Sequence, residues 1–199
     1  MKHIFKLGAL AAAAVLACAP LSPAAAAPAA KAERVDTQPG KTINKLADEY
    51  YDAVARFEPV YASEGGDNRF IDQLGLSIAP KNRERQFALY RDYLKRLQAI
   101  PRDKLSSRDQ TSYDILKFEL DTALRLAQYP EHLLPVDQMV SMPVILANYA
   151  SGQGAQPLST VKDYKAYLNR LTQLTPWIDQ AIVNMRAGIK AGIVHPRAC

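Results

Sequence analysis

From Leu105 to Tyr129 the apolar residues Tyr113, Leu116, Leu120, Ala123, Leu124 and Ala127 recur at three-and-four spacing. That period puts them on one face of an α-helix and requires one side of it to be buried. Ser106 or Ser107 is placed to cap the first turn, with Asp109 or Gln110 three residues on. This is the longest stretch in the chain with both a start signal and a sustained apolar face, and it predicts a helical protein.

The same period recurs on either side. Thr42 is placed to cap a helix carrying Ile43, Leu46, Ala47, Tyr50, Tyr51, Val54 and Phe57, which Pro59 bends or ends. Gly65-Gly66-Asp67-Asn68-Arg69-Phe70 has the composition of a tight turn and leads into a loop that reaches Pro80. Pro80 suits a helix start; Phe87, Tyr90, Leu94 and Leu97 line that helix, which ends at Ile100-Pro101. The short link to the central helix predicts antiparallel packing of the two. After Tyr129, prolines at 130, 135 and 143 break the pattern, and 133–149 reads as turns with one short helix. Ser151-Gly152-Gln153-Gly154 reads as a loop. Ser159 or Thr160 then caps a helix bearing Val161, Tyr164, Leu168 and Leu171, which Thr175-Pro176 breaks or kinks. The last helix is expected to bury Trp177 or Ile178, Ala181, Ile182, Met185 and Ile189, with Gly192 just past its end. The expected fold is all-α, an irregular bundle of about five helices with no sheet.

Composition adds a compartment. With 199 residues, 48% hydrophobic and 23% charged, the chain can build an ordinary core. Residues 1–26 combine Lys2 and Lys6, an apolar run from Leu7 to Ala17 and a small-residue run at Ala24-Ala25-Ala26-Ala27, the pattern of a secretory signal peptide. The apolar run is shorter than the ~20 residues a membrane-spanning helix needs. Residues 27–40 read as a flexible Ala/Pro-rich lead, and 41–199 as the helical domain. An alternative reading takes Val15-Leu16-Ala17-Cys18 as a lipoprotein box, with a lipid on Cys18 and a membrane attachment through it alone. Cleavage near Ala26 leaves Cys199 as the only cysteine, so no internal disulfide is expected. The net charge of +5 is mild and interspersed with acids, which gives no nucleic-acid footprint. The basic stretch from Lys81 to Lys104 is interrupted by Glu84, Asp92 and Asp103 and reads as a solvated helix face.

Candidate chemistry is sparse. The histidines are His3, His132 and His195, with no pair four apart and a Glu between them, so no metal site is expected in this chain. Asp48 with Glu49 and Glu119 with Asp121 are pairs that any solvated helix surface supplies. Ser141, Ser151 and Ser159 lack a nucleophile elbow, and Gly152-Gln153-Gly154 lacks the basic residue of a phosphate loop. No catalytic residue is assigned. The tyrosines at 50, 51, 90, 93, 113, 164 and 167 read as core residues whose hydroxyls reach a partner.

Five segments carry a resemblance: Gly66-Asp67-Asn68-Arg69-Phe70-Ile71-Asp72; Leu105 through Asp114; Leu133-Leu134-Pro135-Val136-Asp137-Gln138-Met139; Thr160-Val161-Lys162-Asp163-Tyr164 with Tyr167-Leu168-Asn169-Arg170-Leu171; and Ala187-Gly188-Ile189-Lys190-Ala191-Gly192-Ile193. In this order, over roughly Lys41 to Arg197, they resemble the opening half of the bacterial family known as domain of unknown function 885. The resemblance implies a helical relative of zincin metallopeptidases whose His/Glu zinc motif lies in a C-terminal half. No metal or catalytic residue carries over to this chain. The implied zinc and the implied peptide substrate belong to the complete protein, and the missing C-terminal half is the implied partner. The resemblance also implies that these helices cover one wall of a substrate channel. Asp67 and Arg69 are then the candidate site residues, as an ion pair holding the turn at that wall or, more weakly, as substrate contacts.

Overall fold

The computed structural model describes residues 38–196 apart from Gln138 and Val140. The segment read as a signal peptide, Cys18, most of the segment read as a lead, and Cys199 lie outside the described residues. Seven α-helices follow one another: α1 Gln38–Phe57, α2 Pro59–Glu64, α3 Pro80–Gln98, α4 Ser107–Leu126, α5 Met142–Ala150, α6 Val161–Thr172 and α7 Leu174–Lys190. Short 3-10 turns at Asn68–Phe70, Arg102–Lys104 and Glu131–Leu133 join them, and no strand occurs among the described residues. The all-α expectation holds. The five long helices stand where the spacing places them, and α5 is the short helix expected in 133–149. Pro59 does not simply end α1, because it occupies the first turn of a second short helix, α2.

Local signals explain several boundaries. Ser106 Oγ accepts from Asp109 N at 3.2 Å, and Thr160 and Asp163 form a reciprocal capping box at the start of α6. Thr42 is not a cap. It lies inside α1, where its hydroxyl donates to Gln38 O at 2.9 Å, so the helix starts within the segment read as lead.

Two apolar clusters result. Ile43, Leu46 and Tyr50 of α1, Tyr90, Tyr93 and Leu97 of α3, and Tyr113, Leu116 and Leu120 of α4 form the first. The Tyr50 ring lies 5.3 Å from that of Tyr93 in an edge-on arrangement, and its hydroxyl donates to Glu119 Oε1 at 3.0 Å. Val60 of α2, Leu74, Leu146 and Tyr149 of α5, Tyr167 of α6, and Trp177 and Ala181 of α7 form the second.

The faces of α6 and α7 meet the expectation at Leu171, Trp177 and Ala181 and differ from it elsewhere. Val161, Tyr164 and Leu168 are 73%, 53% and 59% exposed, while Tyr167 and Arg170 are buried. On α7 Trp177, Ala181, Asn184 and Gly188 face inward, and Ile182 and Ile189 face out. The cause on α7 is polar and steric. Asn184 Nδ2 donates to Ile78 O at 2.8 Å, and Gly188 lies so close to neighbouring backbone that an added Cβ would stand 2.9 Å from Ile193 O and 3.1 Å from Leu133 O. These contacts set the helix's rotation, and the isoleucines follow it. On α6 the rotation is set by Arg170.

Candidate functional site

The segment from Pro59 to Ile78 wraps from the end of α1 across to α6, and Arg170 holds it there. The Arg170 side chain is fully buried. Its Nε donates to Gln73 O at 2.8 Å, Nη1 to Gln156 Oε1 at 2.9 Å, and Nη2 to Phe70 O at 2.8 Å and Ser63 Oγ at 3.0 Å. Asn169 on the same helix and Gln173 just past its end each donate to Asp72 O, at 3.1 and 2.8 Å, and Gln173 Oε1 accepts from Leu74 N. The carbonyls of Phe70, Asp72 and Gln73 thus find side-chain donors on α6 or just past its end. Among the described residues no carboxylate bonds to Arg170 directly. Burial lowers its pKa, which the more distant charges of Glu64 and Asp72 oppose together with Tyr149. A guanidinium stays charged in such a place because several acceptors surround it.

Beside this clamp stand the two residues singled out in the sequence, and the structure brings them together. Asp67 Oδ1 accepts from Arg69 N at 3.1 Å, capping the Asn68–Phe70 turn, and from Arg69 Nε at 2.9 Å. Arg69 Nη2 reaches Asp67 Oδ2 and, from α1, Asp52 Oδ1, both at 2.7 Å. Hydrogen bonds from the Arg69 side chain, then its backbone N–H, pull the Asp67 pKa from 3.8 down to about 2. Arg69 but not Asp67 also lines a shallow groove of about 430 Å³ against α6, with Asn68, Asp72, Lys162, Lys165 and Asn169. Two carboxylates already balance Arg69, so the cluster works as a fastener for the turn.

Asp67 is a depressed carboxylate, so its contribution to stability is present above about pH 4 and lost as pH falls towards 2. Asp67→Asn should therefore lower the unfolding midpoint at pH 5 and flatten its fall between pH 4 and 2. Parallel midpoint-against-pH curves for the two proteins would contradict this.

The remaining sequence candidates stay apart. His195 Nε2 lies 2.9 Å from Val136 O, and His132 sits in the Glu131–Leu133 turn with its Nδ1 buried and unpartnered. Burial, then the charge of Arg83, lowers the His132 pKa and so favours the neutral ring. Glu49 is paired with Arg96, Glu119 takes the Tyr50 proton donor, and Asp121 is bonded to Lys117. Tyr51 and Tyr164 are exposed rather than core, whereas Tyr149 is buried, with its hydroxyl donating to Glu64 Oε1 at 2.5 Å. Among the described residues no group of three or more His, Cys, Asp and Glu could hold a metal ion, so the donor set here does not fit zinc. No described helix is long and apolar enough to cross a membrane.

Sequence reasoning missed Arg170 as the centre. Its signal was its place three residues after Tyr167 and next to Leu171, a charged residue on a face that otherwise turns inward.

An all-α domain of this kind is matched by a known family. The sequence profile described as bacterial protein of unknown function (DUF885) matches residues 59–199, and the chain belongs to that family. The match begins at α2, so it includes Ser63, Asp67, Arg69, Gln73, Gln156 and Arg170, while α1 with Asp52 precedes it. No curated protein and no solved structure matches the chain.

Proposed function

We propose that this chain is an exported, non-catalytic helical portion of a larger zinc metallopeptidase-like protein, inactive alone, which packs against the remainder of that protein. Export follows from the signal pattern of residues 1–26, with periplasmic or secreted placement and a membrane attachment only through a lipid on Cys18. Zinc and the peptide substrate belong to the remainder, and nucleic acid is no partner.

The observation that carries this reading is the apolar stripe on α6. Val161, Tyr164 and Leu168 stand at i, i+3 and i+7 on one face, each more than half exposed. Ile189 on α7 and Phe118 on α4 are similarly uncovered, at 66% and 70%. An uncovered apolar stripe such as that on α6 is suited to packing by further protein. The test is hydrolysis by the purified chain. Given zinc and a mixture of short peptides, it should release no new termini. Turnover that a chelator abolishes would overturn the reading.

A second reading, a self-sufficient exported binding module, draws on a groove of about 330 Å³ between α1 and α4, walled by Tyr51, Val54, Ile115 and Leu116. Under that reading the purified chain is monodisperse and unfolds cooperatively, whereas a portion with uncovered faces self-associates.

A further inference from the structure

A third groove, of about 380 Å³, lies where the end of α1, the 75–77 segment and the start of α3 meet. Gly75 shapes it. Its φ is +78°, and a Cβ there would stand 2.9 Å from both Phe57 O and Pro59 Cδ, so only glycine lets the segment run against the end of α1. Asn82 Nδ2 holds the far side by donating to Leu76 O at 3.0 Å.

Two arginines line this groove, Arg56 from the last turn of α1 and Arg85 from α3. Three other arginines in the domain are matched: Arg69 to Asp52 and Asp67, Arg96 to Glu49, Arg102 to Asp114. Arg56 and Arg85 make no ion pair among the described residues. The acids close to Arg56 in sequence are committed elsewhere. Asp52, one turn before Arg56, is on Arg69. Glu58 is turned inward, where its Oε1 accepts from Gln86 Nε2 at 3.0 Å. The Arg85 guanidinium stands 5.8 Å from the centre of the Phe57 ring, which gives it a fixed platform. The rest of the wall is mixed, with Ala53, Leu76 and Leu89 apolar and Ser77 and Asn82 polar.

Two guanidiniums without an ion-pair partner, beside a wall that carries Phe57, Leu76 and Leu89, select an anion that brings its own apolar group. We propose that this groove is a binding site for a small organic carboxylate with a compact apolar body, the carboxylate held between Arg56 and Arg85 and the body against Phe57, Leu76 and Leu89. This goes beyond the metallopeptidase reading and does not depend on it.

The probe is N-acetyl-phenylalanine, titrated calorimetrically into the purified chain, with N-acetyl-phenylalaninamide and inorganic phosphate as the other arms. The acid should bind saturably, the amide about tenfold or more weakly, and phosphate no better than the amide. Arg56→Gln and Arg85→Gln should each weaken the acid about tenfold, with unfolding midpoints close to wild type because both side chains are exposed. Arg91→Gln, on an exposed position of α3 outside the groove, should leave binding unchanged. Absence of saturable binding by the acid would overturn the proposal, as would equal binding of acid and amide. An equal loss in Arg91→Gln would do the same by pointing to diffuse surface charge, and phosphate binding as well as the acid would remove the apolar half of the assignment.

Discussion

Arg170→Ala is expected to destabilise the domain by about 3–5 kcal/mol, more than any change at the exposed ion pairs. The substitution deletes the donors that serve Gln73 O, Phe70 O, Ser63 Oγ and Gln156 Oε1 in a place closed to water. Each acceptor left unpaired costs about 1–3 kcal/mol, reduced where water enters the space vacated. Arg170→Lys keeps the charge but not the fork, since one ammonium cannot reach acceptors on three sides, and it should recover only part of the loss. Urea unfolding followed by far-UV circular dichroism reads both. A loss below about 1 kcal/mol in the alanine variant would mean that the 59–73 segment holds to α6 without this side chain.

The second large effect is expected at Trp177. It is 3% exposed and packs in the cluster formed by Val60, Leu74, Leu146, Tyr149, Tyr167 and Ala181. Trp177→Ala should cost about 3–5 kcal/mol through lost burial and the cavity left behind. Trp177→Phe fills most of that space and should cost clearly less. Because Trp177 is the only tryptophan, the parent's fluorescence reports this cluster alone, while circular dichroism reports all the helices. Coincident transitions by the two probes indicate that both clusters unfold as one. An alanine variant as stable as the phenylalanine variant would contradict the packing described for this cluster.

The helices were legible in the sequence because their signals are local. Three-and-four spacing, Ser106 and Thr160 as caps, and Pro80 at a first turn all act within a few residues. Which way a helix faces was legible only where apolar residues alone decide it, as on α4, where Tyr113, Leu116 and Leu120 are buried as the period requires. On α6 a charged residue outweighs the stripe. Arg170 meets acceptors about a hundred residues earlier in the chain, and once it turns inward Val161, Tyr164 and Leu168 must turn out. Periodicity carries no information about such a pairing, and an arginine is by default placed in solvent.

The candidate pair shows the same division. Asp67 and Arg69 were legible because the bond spans two residues inside a turn, whereas Asp52 as third member depends on how α1 packs. The unpaired state of Arg56 and Arg85 was not legible either. It depends on Asp52 and Glu58 being drawn elsewhere by partners distant in the chain.

The measurement that most directly tests the proposed role is made on the native protein. An antibody raised against residues 59–196 captures from the source cells the polypeptide that contains them, for intact mass, zinc content and peptide hydrolysis. The account predicts a polypeptide much longer than 199 residues, lacking residues 1–26 or beginning at a lipidated Cys18, with bound zinc and peptidase activity. A zinc-free polypeptide ending at Cys199 that stays monomeric would contradict it and leave the carboxylate groove and the α1–α4 groove as the sites to pursue.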